Sequence, residues 1–114
     1  MFKAMISAIA MLTLAACASV PVSPEKFQAS EQAIQWAAAA GAERDPAAAK
    51  YLELARGEMS QGKQLSDGGS RAQAETMLQR AEADARLASA TAQENASKAE
   101  VKRLAEALKA AQSQ

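Results

Sequence analysis

Histidine is absent from the chain, cysteine occurs once, and the aromatic residues are one tryptophan, one tyrosine and two phenylalanines. Without histidine the commonest general base and metal ligand is missing. The carboxylates stand among basic residues, and no Asp-rich loop with calcium-ligand spacing is visible. No catalytic residue, cofactor or metal is therefore expected. The single cysteine, Cys17, has no internal partner, which excludes an intramolecular disulfide. Charge of one sign is lacking too: 13 Lys and Arg balance 13 Asp and Glu, interspersed along the chain. With neither a basic block nor an aromatic platform, nucleic-acid binding has no footprint. Large apolar side chains are also scarce. Hydrophobic residues make up 49% of the chain, but most are alanine, and the few Val, Ile, Leu, Met and aromatic residues after Cys17 cannot build a deep globular core. A mixture of Ala, Glu, Gln, Lys and Arg favours long helices packed through small side chains.

What is present begins with a short apolar run. Met1-Phe2-Lys3 gives a positive start, and Ala4 to Ala15 is apolar apart from Ser7 and Thr13, the layout of a secretory signal. As a helix that run spans only about 18 Å against a hydrocarbon core of about 30 Å, too short for a permanent anchor. It closes on Leu14-Ala15-Ala16-Cys17, which resembles the lipobox of bacterial lipoproteins. The resemblance implies cleavage before Cys17, a diacylglycerol on its sulfur, and a fatty acid such as palmitate on the new amino group. Two acyl chains already give stable membrane attachment where one does not. In such proteins an Asp after the cysteine commonly retains the chain at the inner membrane. Ala18 follows here, which implies the periplasmic face of the outer membrane. The plainer reading of Cys17, a small residue near the end of a signal cut after Ala18, leaves a free thiol in an oxidising compartment.

Residues 17–23, with Pro21 among them, read as a short tether. Ser23-Pro24 predicts an N-cap and first helical residue, and Glu25 suits the first turn. The first helix has Phe27, Ile34, Ala37 and Gly41 on one stripe, with Ala29, Ala33, Trp36 and Ala40 beside it, and Gly41 predicts its end. Asp45-Pro46 repeats the cap-then-proline signal. The second helix has Ala48, Leu52, Ala55 and Met59 on its inner stripe, flanked by Tyr51 and Leu54. Gly57 within it predicts a close approach by another helix or a bend, with simple tolerance as the alternative. Fraying is expected between Gly62 and Ser66, and Ser70 with Gln73 fits a capping box.

From Arg71 to about Gln112 no Pro or Gly interrupts a helix of about 60 Å. Ala74, Leu78, Ala81, Ala85, Ala88 and Ala92 follow alternating steps of four and three, a coiled-coil-like seam. Glu82 and Arg86, like Glu94 and Lys98, stand four apart in the favourable order. Asn95 takes the next seam position, and the large apolar residues resume as Val101, Leu104 and Leu108 on another phase, which marks the end of one packing partner. The expected organisation is all-α: a cleaved signal at 1–16, a tether at 17–23, an Ala-rich three-helix antiparallel bundle at 24–92, and a distal, protruding part of the third helix at 93–114.

The Ala40-Gly41-Ala42 end of the first helix, Tyr51-Leu52 with Ala55-Arg56, and Arg71-Ala72, Leu78, Ala81, Asp84-Ala85 and Leu87-Ala88 resemble the bacterial lipoproteins that carry domain of unknown function 4398. The resemblance covers roughly Glu25 to Ala92. It implies a helical periplasmic module, found alone or ahead of OmpA-type peptidoglycan-binding domains, and brings no established activity. The function expected is that of a non-catalytic structural or protein-interaction module, anchored to the membrane through Cys17. Val101, Leu104 and Leu108 are its candidate contacts with an envelope protein or with further copies through the third helix. The second reading is a murein-lipoprotein-like coiled-coil rod contacting peptidoglycan. Its last lysine, Lys109, is not at the terminal position that a covalent link of that kind uses.

Overall fold

A computed structural model describes residues 20–114. They form three helices, α1 (Pro24–Ala39), α2 (Pro46–Asp67) and α3 (Arg71–Gln112), with a short 3-10 turn at Ala42–Arg44 between the first two. No strand occurs among the described residues. The chain is thus the all-α bundle with a long third helix that its composition and periodicity predict.

The helix ends follow from local chemistry. Pro24 and Pro46 open α1 and α2, where a missing N–H leaves no bond unmade. Asp45 caps α2: its Oδ1 accepts from the N–H groups of Ala47 and Ala48, each at 2.9 Å. Gly41, at φ 88°, turns the chain out of α1 in the left-handed region where only glycine is unstrained. At the other turn Gly69, at φ 81°, forms a Schellman motif: its N–H donates to Ser66 O, and the Ser70 N–H to Leu65 O at 2.8 Å. That motif satisfies the last carbonyls of α2 and carries the helix unbroken to Asp67, so the fraying expected between Gly62 and Ser66 does not occur. The expected capping box is not formed either, since the Ser70 side chain makes no capping hydrogen bond. Ahead of α1, Val22 is buried and shares one apolar cluster with Phe27, Met59, Leu65, Ala74 and Leu78. Val22 precedes the Ser23 cap and Phe27 is the fourth helical residue, the arrangement of a hydrophobic staple that fixes how the chain enters the helix.

The core is narrow and almost entirely small. All six residues of the predicted α3 seam, Ala74, Leu78, Ala81, Ala85, Ala88 and Ala92, are buried. Against them lie Ala48, Leu52, Ala55 and Gly62 from α2, and Ser30, Ala33 and Ala37 from α1. Leu52 and Leu78 are the largest fully buried side chains. α3 packs most extensively on α2 and next on α1, while α1 and α2 touch little. The helices run up, down and up: the cluster of Ala37, Ala42, Ala48, Leu52, Ala88 and Ala92 closes the end opposite Val22.

Two polar contacts tie α1 to α3. The Ser30 hydroxyl, 1% exposed, donates across the helix interface to Leu78 O at 2.9 Å. Glu75 on α3 pairs with Lys26 of α1 at 2.9 Å, and also with Arg71. The predicted pairs Glu82 with Arg86 and Glu94 with Lys98 are both made on the α3 surface. Trp36 departs from its expected place beside the α1 stripe and is 64% exposed, because the contact surface of α1 is centred on Ser30, Ala33 and Ala37.

The close approach expected at Gly57 lies instead at Gly62. A methyl group at Gly57 would meet nothing within 4 Å; at Gly62 it would lie 3.1 Å from Leu78 Cδ2 and Cγ and 3.4 Å from Ala74 O. Gly62 is the gap into which Leu78 fits. Gly57→Ala should therefore raise stability by about 0.5–1 kcal/mol through helix propensity. Gly62→Val should lower it by about 1–3 kcal/mol through overpacking. In thermal melts each kcal/mol should move Tm by about 4–8 °C in a domain of this size. A Gly62→Val chain as stable as the parent contradicts the packing described.

Glu58 is the odd charge in the α2–α3 interface. Its Oε2 is buried without a hydrogen-bond partner. Burial pushes its carboxyl above the ordinary 4.5; the neighbouring Asp84 carboxylate pushes the same way, and Arg80 opposes them. The native state then holds a proton that the unfolded chain has lost. The contribution of Glu58 to stability falls as pH rises upward from about the ordinary value. Asp45 and Glu75 act oppositely: the Ala48 N–H and Asn95 hold Asp45 low, Lys26 and Arg71 hold Glu75 low, and their stabilisation is present above the ordinary carboxylate values and lost as pH falls below them. Glu58→Gln should raise Tm over the parent at pH 8 and leave a smaller difference at pH 4. Calorimetry at the two values checks this, and a lower Tm for the variant at pH 8 would reverse the assignment.

Candidate functional site

Beyond residue 95 none of the described residues covers α3. Ala92 is the last buried residue of the inner seam. Asn95, one step further along it, is half-buried and donates from Nδ2 to Asp45 Oδ2 at 2.8 Å. The acid that caps α2 with one oxygen thus binds α3 with the other, and this contact marks the end of the bundle. Every residue from Ala96 to Gln114 is exposed. The helix continues to Gln112, about 25 Å further at 1.5 Å per residue.

The arm has a different pattern from the bundle. The inner seam, extended by the same steps, reaches Ala99, Lys102, Glu106 and Lys109, positions that cannot continue an apolar interface. The apolar residues lie instead on another face: Val101 is 67% exposed, Leu104 53% and Leu108 61%. The structure brings these three together along one stripe, and among the described residues no other element packs on them. Around them the charges are paired locally, Glu94 with Lys98 at 2.6 Å and Glu100 with Arg103 at 2.6 Å. Lys98 holds the Glu94 carboxyl below its ordinary value, and Arg103 does the same for Glu100.

The concavities of the bundle are open grooves. One runs along α2 between Lys50, Glu53, Leu54, Gly57, Glu58 and Gln61. Another lies where the chain enters α1, between Pro21, Val22, Phe27, Met59 and Lys63. The first gathers no nucleophile with an adjacent base. Among the described residues no cluster of three His, Cys, Asp or Glu has metal-binding geometry, and no helix is long and apolar enough to cross a membrane. Leu14, Ala15, Ala16 and Cys17 lie outside the described residues.

Sequence periodicity finds the stripe but misses other exposed apolar residues. Leu54, expected beside the inner stripe of α2, is 54% exposed, and Leu87, at 44%, lies on α3 facing away from the bundle. Their signal was available in the register: neither falls in the alternating steps of the buried seams.

A family model matches residues 25–104, from the first turn of α1 through the bundle and past Asn95 into the uncovered arm. No curated protein and no solved structure matches the chain. With that share of the 114 residues matched, the chain belongs to the family described as Domain of unknown function (DUF4398).

Proposed function

We propose that this chain is a non-catalytic lipoprotein of the cell envelope. It is acylated at Cys17, held on the periplasmic face of the outer membrane, and offers the distal part of α3 to a protein partner. The observation that carries this reading is the relation between the two ends of the bundle. Val22 is packed at the end where α3 begins. Only residues 18–21 then lie between it and Cys17, and the five steps from Cys17 to Val22, at about 3.3 Å each, reach about 17 Å. The uncovered arm leaves from the opposite end. At 1.5 Å per residue, Val101 to Leu108 stands about 45–55 Å along α3 from Arg71. An acylated Cys17 would hold the bundle close to the bilayer and its contact face well away from it.

The two halves of the reading are separately testable. Metabolic palmitate labelling should mark the parent chain and not Cys17→Ala, which should leave the membrane fraction; a Cys17→Ala chain that stays membrane-bound to the same extent overturns the anchor. Leu104→Asp with Leu108→Asp should change stability by no more than about 0.5 kcal/mol, as expected for surface positions. The same pair should abolish crosslinking in cells from a photoreactive residue at Val101. An unchanged crosslink pattern would rule out the stripe. Release of a peptidoglycan-bound form by muramidase would redirect the reading from a protein partner to the cell wall.

A further inference from the structure

The stripe on the arm does not begin at Val101. Counted in alternating steps of four and three from Leu87, one register of α3 passes through Ala90, Val101, Leu104, Leu108 and Ala111, with Glu94 and Ser97 as its polar members. All of these residues are exposed. At 3.6 residues per turn this register lies roughly opposite the buried seam of Ala74 to Ala92. α3 therefore carries two heptad faces: the inner is filled by α1 and α2, and the outer, covered by none of the described residues, runs alongside the bundle and down the arm. A strict heptad over this length matches the left-handed winding of two helices around each other, with Val101 and Leu104 at the a and d positions that suit a pair. Glu94 lies within the face but carries its own counter-ion in Lys98 at 2.6 Å.

We infer that the partner on this face is a second copy of the same chain, paired in parallel and in register through the outer face of α3. Two observations favour a copy. The face is self-complementary in period. α1 and α2 lie on the far side of α3, so two bundles can stand back to back without collision. The area sets the strength: from Leu87 to Ala111 the face is about 36 Å long and about 10 Å wide, roughly 360 Å² on each partner. A stable free complex needs about 800 Å² on each side. The pairing is accordingly weak in solution and depends on confinement, which a shared membrane supplies at an effective concentration on the order of millimolar. Anchoring also fixes the orientation as parallel. In this respect the inference rests on the lipid-anchored reading.

Single cysteines in the anchored chain test it. Ala111→Cys, on the outer face, should form a disulfide-linked dimer of twice the chain mass in oxidised membranes. Ala99→Cys, on the inner register, should give at least ten-fold less. Adding Leu104→Asp to Ala111→Cys should reduce the dimer by a similar factor, and adding Glu94→Leu should increase it. Equal yields at the two positions, or none at Ala111→Cys in a chain that fractionates with membranes and carries palmitate, overturn the pairing and leave the anchor standing. Absence of palmitate and of membrane association overturns the anchor alone. The pairing is then decided on the purified Cys17→Ala chain at about 1 mM, where the same contrast between positions 111 and 99 supports it and equal yields refute it.

Discussion

Methyl-sized side chains at the helix contacts are the constraint from which the rest of this structure follows. Where α3 meets its neighbours, the buried residues are alanine with one leucine, and they face alanine, glycine, serine and one leucine. Small residues let the helices approach closely, but each buries little apolar surface, and a buried methylene contributes only about 0.8 kcal/mol. Two features compensate. Alanine favours the helix itself, so much of the order is local. The few larger elements are placed where they act on more than one helix: Leu78 sits in the gap at Gly62, accepts the Ser30 hydroxyl on its carbonyl, and meets Val22 at the end of the bundle. A bundle so lightly filled relies on its turns, and both are closed by specific chemistry, Asp45 at one and Gly69 at the other.

The legible parts of the sequence are those where a period repeats. The α3 seam is readable because six consecutive positions in alternating steps of four and three are all alanine or leucine, with no polar residue among them. The inner stripe of α2 is readable for the same reason. Single residues are another matter. Gly62, three residues after Met59, continues the inner stripe of α2 and Gly57 does not, yet the turn-forming residues from Gly62 to Gly69 read as a fraying end, which hides the close approach of Leu78. Ser70 and Gln73 have the spacing of a capping box, yet the Schellman turn at Gly69 already fixes how the chain enters α3. Trp36 has the size of a core residue, but a core built to the width of alanine has no room for it. The candidate surface was visible as a change of phase after Asn95. Its continuation past Leu87 was not, because one leucine on the outer face of a helix is ordinary until the register that joins it to Val101 is followed through Glu94 and Ser97.

Asp45 gives the molecule its division into bundle and arm. One of its oxygens receives the first free N–H groups of α2 and the other receives Asn95. The contact fixes the level at which α3 parts from its neighbours, since beyond it the inner register meets Ala99, Lys102, Glu106 and Lys109 and offers nothing to pack. At the opposite end Val22 fixes the level at which the incoming chain joins. Between these two points the bundle is a spacer of set length. That the family model extends beyond Asn95 to residue 104 means that part of the arm belongs to the family pattern along with the bundle.

The arm does not need a partner in order to be helical. Starting a helix is unfavourable, with a nucleation factor of about 10⁻³, but here the first turns are already formed in the bundle and each further residue only extends them. The arm is rich in alanine, paired by Glu94 with Lys98 and Glu100 with Arg103, and carries Lys109 at its C-terminal end, where a cation suits the helix dipole. Val101, Leu104 and Leu108 add nothing to that local stability: valine is a poorer helix former than alanine, and leucine is no better. A tail serving only to remain solvated and helical would have alanine or a charge at those positions. Three large apolar side chains on one stripe of an already rigid helix are instead a surface whose ordering cost is met before any partner arrives, and preorganisation of that kind raises affinity without enlarging the contact.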